Sequence, residues 1–259
     1  KQSTTRCAIV MNKLLPLLVK ELTDGRCAVL VTVTRNGGSA PRGVGACLLR
    51  RQDGTFSGTV GGGVLEFRCL TEAGAMLGHS SSRVEEYALT QNEVRSLGMV
   101  CGGNVSILYQ ALTPKDLPAF AEALTRMQTG QSLWMARRLE NGTVASLCFY
   151  GVDEPCPFLP DAADGEAHPR RARCAHDILI EPVQLAFHTY VFGGGHVSQA
   201  LVPLLAQLDF APIVYDDRPE FTSKTLFPTA ADVICRSFDE AHTLPITHND
   251  EIVIMTRGH

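Results

Sequence analysis

Thr189-Tyr190-Val191-Phe192-Gly193-Gly194-Gly195-His196-Val197-Ser198 is the stretch on which the fold turns. Four strand-forming residues run into three glycines, and residues 197–208 then read as a helix. That strand–turn–helix context gives weight to the fingerprint G-x-G-x-x-G/A. Gly193 permits the tight turn, Gly195 lets backbone approach a pyrophosphate, and the third position needs a small residue for helix packing, here Ser198. A second strand, 212–215, leads into Asp216, 23 residues after Gly193. The carboxylate that takes a ribose hydroxyl is expected roughly 20 residues on. Asp217 is its rival.

Downstream, the apolar runs 232–235 and 251–256 read as two more strands. Alternating strand and helix predicts a parallel sheet with right-handed crossovers. His196 closes the first strand and His259 follows the fourth, so both would face one crevice. The plainer reading is a first-turn histidine and a terminal one, and two histidines without a third ligand are poor evidence for a metal.

Upstream, residues 151–176 are Asp, Pro, Ala and Arg without periodicity, and are expected to form a linker. The chain is therefore read as α/β, with an N-terminal mixed α/β domain (1–150) and a C-terminal Rossmann-like parallel-sheet domain (177–259). Four strands are counted where five or six are usual, so the second domain is expected to be incomplete at its C-terminal end. In the first domain a helix at 11–22 precedes strands at 27–34, 44–50 and 55–60, with a loop at 35–43. After Gly61-Gly62-Gly63, Leu65, Cys69, Leu70, Ala73, Met76 and Leu77 fall at helical spacing. Strands at 85–89 and 104–110, a helix at 114–128 and a hairpin turning at Asn141-Gly142 complete it.

The 259 residues are 45% apolar and 19% charged, which excludes disorder. A net charge of -4 lacks the basic excess by which nucleic-acid binders displace counterions, so no nucleic-acid partner is expected. The apolar run 14–19 is interrupted by Pro16 and is far short of the roughly 20 residues that span a bilayer, so no membrane partner is expected either. Nine cysteines without a C-x-x-C pair read as reduced thiols of a cytoplasmic protein.

Fifteen of the 23 glycines lie in three clusters, at 37–63, 98–103 and 193–195. Glycine weakens regular structure, so such clusters suggest tight turns or close approach to a ligand. Gly61, Gly62 and Gly63, just before a helix, are a candidate anion-binding concavity. Arg42 offers a bidentate contact to phosphate or carboxylate, or is simply an exposed loop arginine. Glu66, in the first turn of that helix, suits a capping role. Cys101, in Gly98-Met99-Val100-Cys101-Gly102-Gly103, has small neighbours that leave its thiol accessible. A soft thiolate suits a transition metal or carries persulfide sulfur; the alternative is a small buried hydrophobe.

Gly38-Ser39-Ala40-Pro41-Arg42, Gly58-Thr59-Val60-Gly61-Gly62-Gly63-Val64-Leu65-Glu66, the Cys101 segment and Gly193-Gly194-Gly195-His196-Val197 together resemble, in order, the xanthine dehydrogenase accessory factor family, XdhC/CoxI. The resemblance runs from about Leu14 to His259. It implies a chaperone that binds molybdenum cofactor (molybdopterin, as mono- or dinucleotide), protects it during sulfuration by a cysteine desulfurase and delivers it to a molybdenum hydroxylase. A homodimer is implied at the family level. Carried over by motif, Cys101 would contact the molybdenum or its sulfur, and Gly61 to Gly63, with Arg42, Gly102 and Gly103 nearby, would hold the cofactor. Gly193, Gly195, His196 and Asp216 would serve a nucleotide. Two alternatives are an NAD(P)-dependent oxidoreductase, with His196 or His259 as proton donor, and a scaffold recruiting a desulfurase to its client.

Overall fold

The computed structural model describes residues 6–38, 42–89, 103–159, 164–184, 188–208, 210–246 and 250–256. The chain divides into two units, Lys1–Leu185 and Ala186–His259.

In the first unit, α1 (Arg6–Thr23) buries Met11, Leu14, Leu15, Leu18 and Leu22 along one stripe. At about 1.5–3 kcal/mol for each fully buried large side chain, this stripe holds the helix in place despite Pro16. A five-stranded antiparallel sheet has the order β3-β2-β1-β5-β4. Its strands are β1 (Ala28–Gly38), β2 (Cys47–Arg51), β3 (Phe56–Gly58), β4 (Ser82–Leu89) and β5 (Gly103–Leu112). Alternation along β1 divides two cores: Ala28 and Leu30 face α1, while Val29, Val31 and Val33 pack with Leu65, Cys69, Ala73 and Met76 of α2 (Gly63–Met76). α3 (Leu117–Gln128) adds Phe120 and Ala123 to the α1 core.

A second antiparallel sheet, in the order β7-β6-β9-β8, comprises β6 (Leu133–Glu140), β7 (Thr143–Gly151), β8 (Arg173–Ala175) and β9 (Ile178–Gln184). Asn141 (φ 50) and Gly142 (φ 75) form the turn between β6 and β7, both in the left-handed region that tight hairpins need.

The stretch 151–176 does not behave as a linker. Cys156 and Ala167 are buried beside Trp134 and Tyr150, and the Trp134 indole donates to the Pro169 carbonyl at 2.9 Å. Its polar composition concealed this role, because the segment covers a sheet face through a few apolar side chains and main-chain acceptors. Ile178-Leu179-Ile180, counted with the second domain, pairs with β6 instead. The boundary falls between Leu185 and Ala186. β1 likewise runs on through the expected loop to Gly38, past a register shift between Val33 and Arg35.

In the second unit, β10 (Thr189–Phe192), β11 (Pro212–Asp216), β12 (Asp232–Cys235) and β13 (Glu251–Ile254) are parallel, in the order β12-β11-β10-β13. This is the order of the first four strands of a Rossmann sheet. α4 (His196–Gln207) covers one face, where Val202 packs with Val191 and Val214, while Tyr190, Phe192, Ile213 and Tyr215 lie on the other.

Candidate functional site

Antiparallel pairing brings sequence-distant glycine motifs to one end of the five-stranded sheet. Gly38 pairs with Gly103 across β1 and β5, and Gly103 pairs with Leu89 across β5 and β4. At the same end β2 begins at Cys47, opposite Thr32, and β3 finishes at Gly58, opposite Leu48. Gly58 has φ +89, and a Cβ there would stand 2.4 Å from the Cys47 carbonyl oxygen, so only glycine lets β3 close on β2. Half-buried Arg42 lies between β1 and β2, and its carbonyl accepts from Asn36 Nδ2 at 3.3 Å. Cys101 and Gly102 lie outside the described residues, as does His259.

Gly61, Gly62 and Gly63 take φ of 140, 76 and 61, conformations that side chains rarely adopt. The concavity they form already holds an internal anion. Glu66 Oε2 accepts from the Val60 and Gly62 N–H groups at 3.2 and 3.1 Å, and from the Thr59 hydroxyl. Thr59 Oγ1 in turn accepts the Gly61 N–H at 3.1 Å. Glu66 thus satisfies main-chain donors at the start of α2 and complements its dipole. Thr59 carries no signal in the sequence, because its partner lies seven positions away, beyond ordinary capping spacing.

In the second unit the three glycines have different reasons to be there. Gly193 has φ +104, and a Cβ would lie 2.5 Å from the Met255 carbonyl oxygen; at Gly194 it would lie 2.1 Å from that of Phe221. At Gly195, the N-cap of α4, the space is open. Ser198 is buried and its hydroxyl donates to the Gly193 carbonyl, the close packing the fingerprint requires. His196 is exposed on the first turn.

Asp216 is fully buried at the end of β11. Its Oδ1 accepts from Arg218 N and Nε at 3.0 and 2.9 Å, and its Oδ2 from Gly194 N and Arg218 Nη2 at 2.7 and 2.8 Å. Burial pushes its pKa up, but the Arg218 side chain and the main-chain donors outweigh it and hold the carboxyl well below the usual range. A carboxylate offers about four lone-pair positions, and all are filled. The expected ribose contact therefore has no free acceptor at Asp216. The group that fills it, Arg218, was legible only as the last residue of Asp216-Asp217-Arg218. A cleft of ≈ 660 Å³ lies beside it, lined by Phe192, Asp217, Arg218, Phe238, Ile254 and Thr256 among others.

Among the described residues, no group of three or more His, Cys, Asp and Glu side chains is placed to hold a metal. Among them, no helix is long and apolar enough to cross a membrane. Cys27, Cys47, Cys69, Cys148, Cys156, Cys174 and Cys235 are free thiols. Cys156 is buried and Cys174 half-buried.

An antiparallel sheet with a glycine-rich end, followed along the chain by a Rossmann-like parallel sheet, defines a two-unit α/β protein. The XdhC and CoxI family profile matches residues 22–88, and the XdhC Rossmann domain profile matches residues 189–259. The chain belongs to the XdhC and CoxI family. It is similar to a Bacillus subtilis (strain 168) protein named as a probable xanthine dehydrogenase subunit, with 24% identity over 219 residues, 82% of this chain and 66% of that one. It is also similar to the molybdenum cofactor insertion chaperone PaoD of Escherichia coli (strain K12), at 32% identity over 99 residues, 38% of this chain and 31% of that one. The chain thus spans less than two thirds of these relatives' lengths. A Bacillus halodurans crystal structure described as a xanthine dehydrogenase shares the fold, with a TM-score of 0.69 at 22% identity, covering 95% of this chain and 74% of that one.

Proposed function

We propose that this protein is a molybdenum cofactor insertion chaperone for a molybdenum hydroxylase of the xanthine dehydrogenase type. The cofactor binds at the glycine end of the five-stranded sheet. Arg42 and the glycine main chain hold its phosphate, and Cys101 meets the molybdenum or its sulfur. A cysteine desulfurase sulfurates the cofactor while it is held, and the chaperone acts as a homodimer. The observation that carries this reading is the Gly103 register: Gly38, which leads into the Arg42 motif, and Gly103, two positions after Cys101, face each other across one strand pair. The donor set suits the ligand, because a guanidinium and main-chain N–H groups recognise phosphate and a thiol is a soft ligand for molybdenum or sulfur. PaoD, a relative, is named for this activity.

The test is anaerobic purification followed by mass spectrometry of bound small molecules. Molybdopterin is expected with the wild-type protein and is expected to be lost in Cys101→Ala. Wild-type retention in that variant removes the thiol role. No binding of added molybdopterin to the wild type removes the reading itself.

A further inference from the structure

We propose that the cleft between the two sheets of the first unit is the subsite for the pterin ring, whose 2-amino-4-oxo edge is read by Glu86 and Ser106. This rests on the cofactor reading above and names the part of the molecule held there. Strand register builds the cleft. Arg35 of β1 pairs with Ser106 of β5, and Ser106 with Glu86 of β4, so cation, hydroxyl and carboxylate form one row across three strands. Neighbouring strands lie about 4.8 Å apart, which sets Ser106 beside Glu86 at a spacing that one edge of a small ring can bridge. On β1 and β5 the row lies three positions from Gly38 and Gly103, the pair at the glycine end.

Two groups of the row are free to bind. Ser106 is 8% exposed, and its hydroxyl has no partner among the described residues. An unpaired hydroxyl at such burial is costly, and this one opens on the cleft. The exposed Glu86 carboxylate likewise has no partner among the described residues. The Thr34 hydroxyl, by contrast, donates to the Ser106 carbonyl at 3.1 Å, and Arg35 Nη2 donates to Asp177 at 3.2 Å. Arg35 and Asp177 cancel in charge, and burial pushes the pKa of the Cys174 thiol up, which keeps it neutral. Among the described lining residues Glu86 is therefore the uncompensated charge, and it selects a ligand edge that donates.

A carboxylate can accept from the 2-amino group and the adjacent ring N–H together, as it does from a guanidinium, while Ser106 donates to the 4-oxo group. Val84 of β4 and Leu139 of β6 bring one aliphatic wall from each sheet, a surface for the faces of a flat ring. Asn141, at the hairpin turn, adds an amide that can donate or accept. A small alkylammonium would satisfy Glu86 but leave both aliphatic walls in water. The volume of ≈ 340 Å³ suits a small ligand. Guanine carries the same edge on a smaller ring, so the experiment separates the two.

Fluorescence titration of the whole chain with pterin and with lumazine, in which a 2-oxo group replaces the 2-amino donor, tests this, with guanosine as competitor. Pterin is expected to bind about tenfold or more tighter than lumazine, the worth of a hydrogen bond to a charged group. Glu86→Gln should abolish that preference, and Ser106→Ala should weaken pterin about fivefold. Pterin binding no tighter than lumazine, an unchanged preference in Glu86→Gln, or guanosine binding as tightly as pterin would each overturn the proposal. The wild-type comparison of pterin with lumazine needs no variant, so it decides even if a variant fails to fold. Molybdopterin bound by the wild type without the preference for pterin over lumazine overturns this subsite alone. No molybdopterin binding overturns the cofactor reading and the subsite with it.

Discussion

The Arg137 guanidinium and the Glu181 carboxylate form an ion pair buried inside the first unit. They sit on the neighbouring strands β6 and β9, and Arg137 also donates to Thr32 Oγ1 and Gln110 Oε1 of the five-stranded sheet, each at 3.0 Å. One side chain thereby ties both sheets of the unit together. Removing Glu181 as Glu181→Leu leaves a buried cation uncompensated and is expected to cost about 3–5 kcal/mol. Arg137→Met with Glu181→Leu removes both charges and should recover much of that. Urea denaturation of the single and double variants measures it; a single-variant cost below about 1 kcal/mol would contradict the buried pairing.

The glycine turn after β10 predicts a graded series. Gly194→Ala drives a methyl into the Phe221 carbonyl and Gly193→Ala into that of Met255, the latter also at a left-handed φ. Each should destabilise by about 1–3 kcal/mol or more. Gly195→Ala meets open space at φ -67 and should cost little. Thermal melts of the three variants rank them, and equal losses would mean that Gly195 is also packed.

Asp216 predicts acid sensitivity of the second unit. Its carboxyl is held below the ordinary value in the folded state, so its stabilising contribution is present above the unfolded value, near about 3.9. That contribution is lost as pH falls from there toward the depressed folded value. Asp216→Asn should lower stability at neutral pH and flatten its dependence below about pH 4. Stability followed by Tyr215 or backbone probes between neutral and acid pH checks this; an unchanged slope in the variant would assign the acid response to other carboxyls.

Much of the architecture was legible because its signals are local. The parallel unit follows from strand, glycine turn and helix in register, and the Asn141-Gly142 hairpin from two residues that tolerate a left-handed backbone. The linker reading of 151–176 failed because it was compositional, whereas Cys156, Ala167 and the Pro169 carbonyl act through partners on β6 and β7. The site divided in the same way. Glycine clustering located the turns, but not what each glycine faces: Glu66 for the turn before α2, and Met255 and Phe221 after β10.

Sequence alone determined that two α/β units are strung in this order, that their glycine-rich turns precede helices, and that Asp216 ends the second parallel strand. Only the tertiary structure decided that Gly38 meets Gly103, that the Gly61 to Gly63 turn is filled by Glu66, and that Asp216 is closed by Arg218. The physical reason is range. Backbone preference and hydrophobic period act over a few residues, but a donor or acceptor is satisfied by whichever group folding brings within about 3 Å, often from a distant strand or turn.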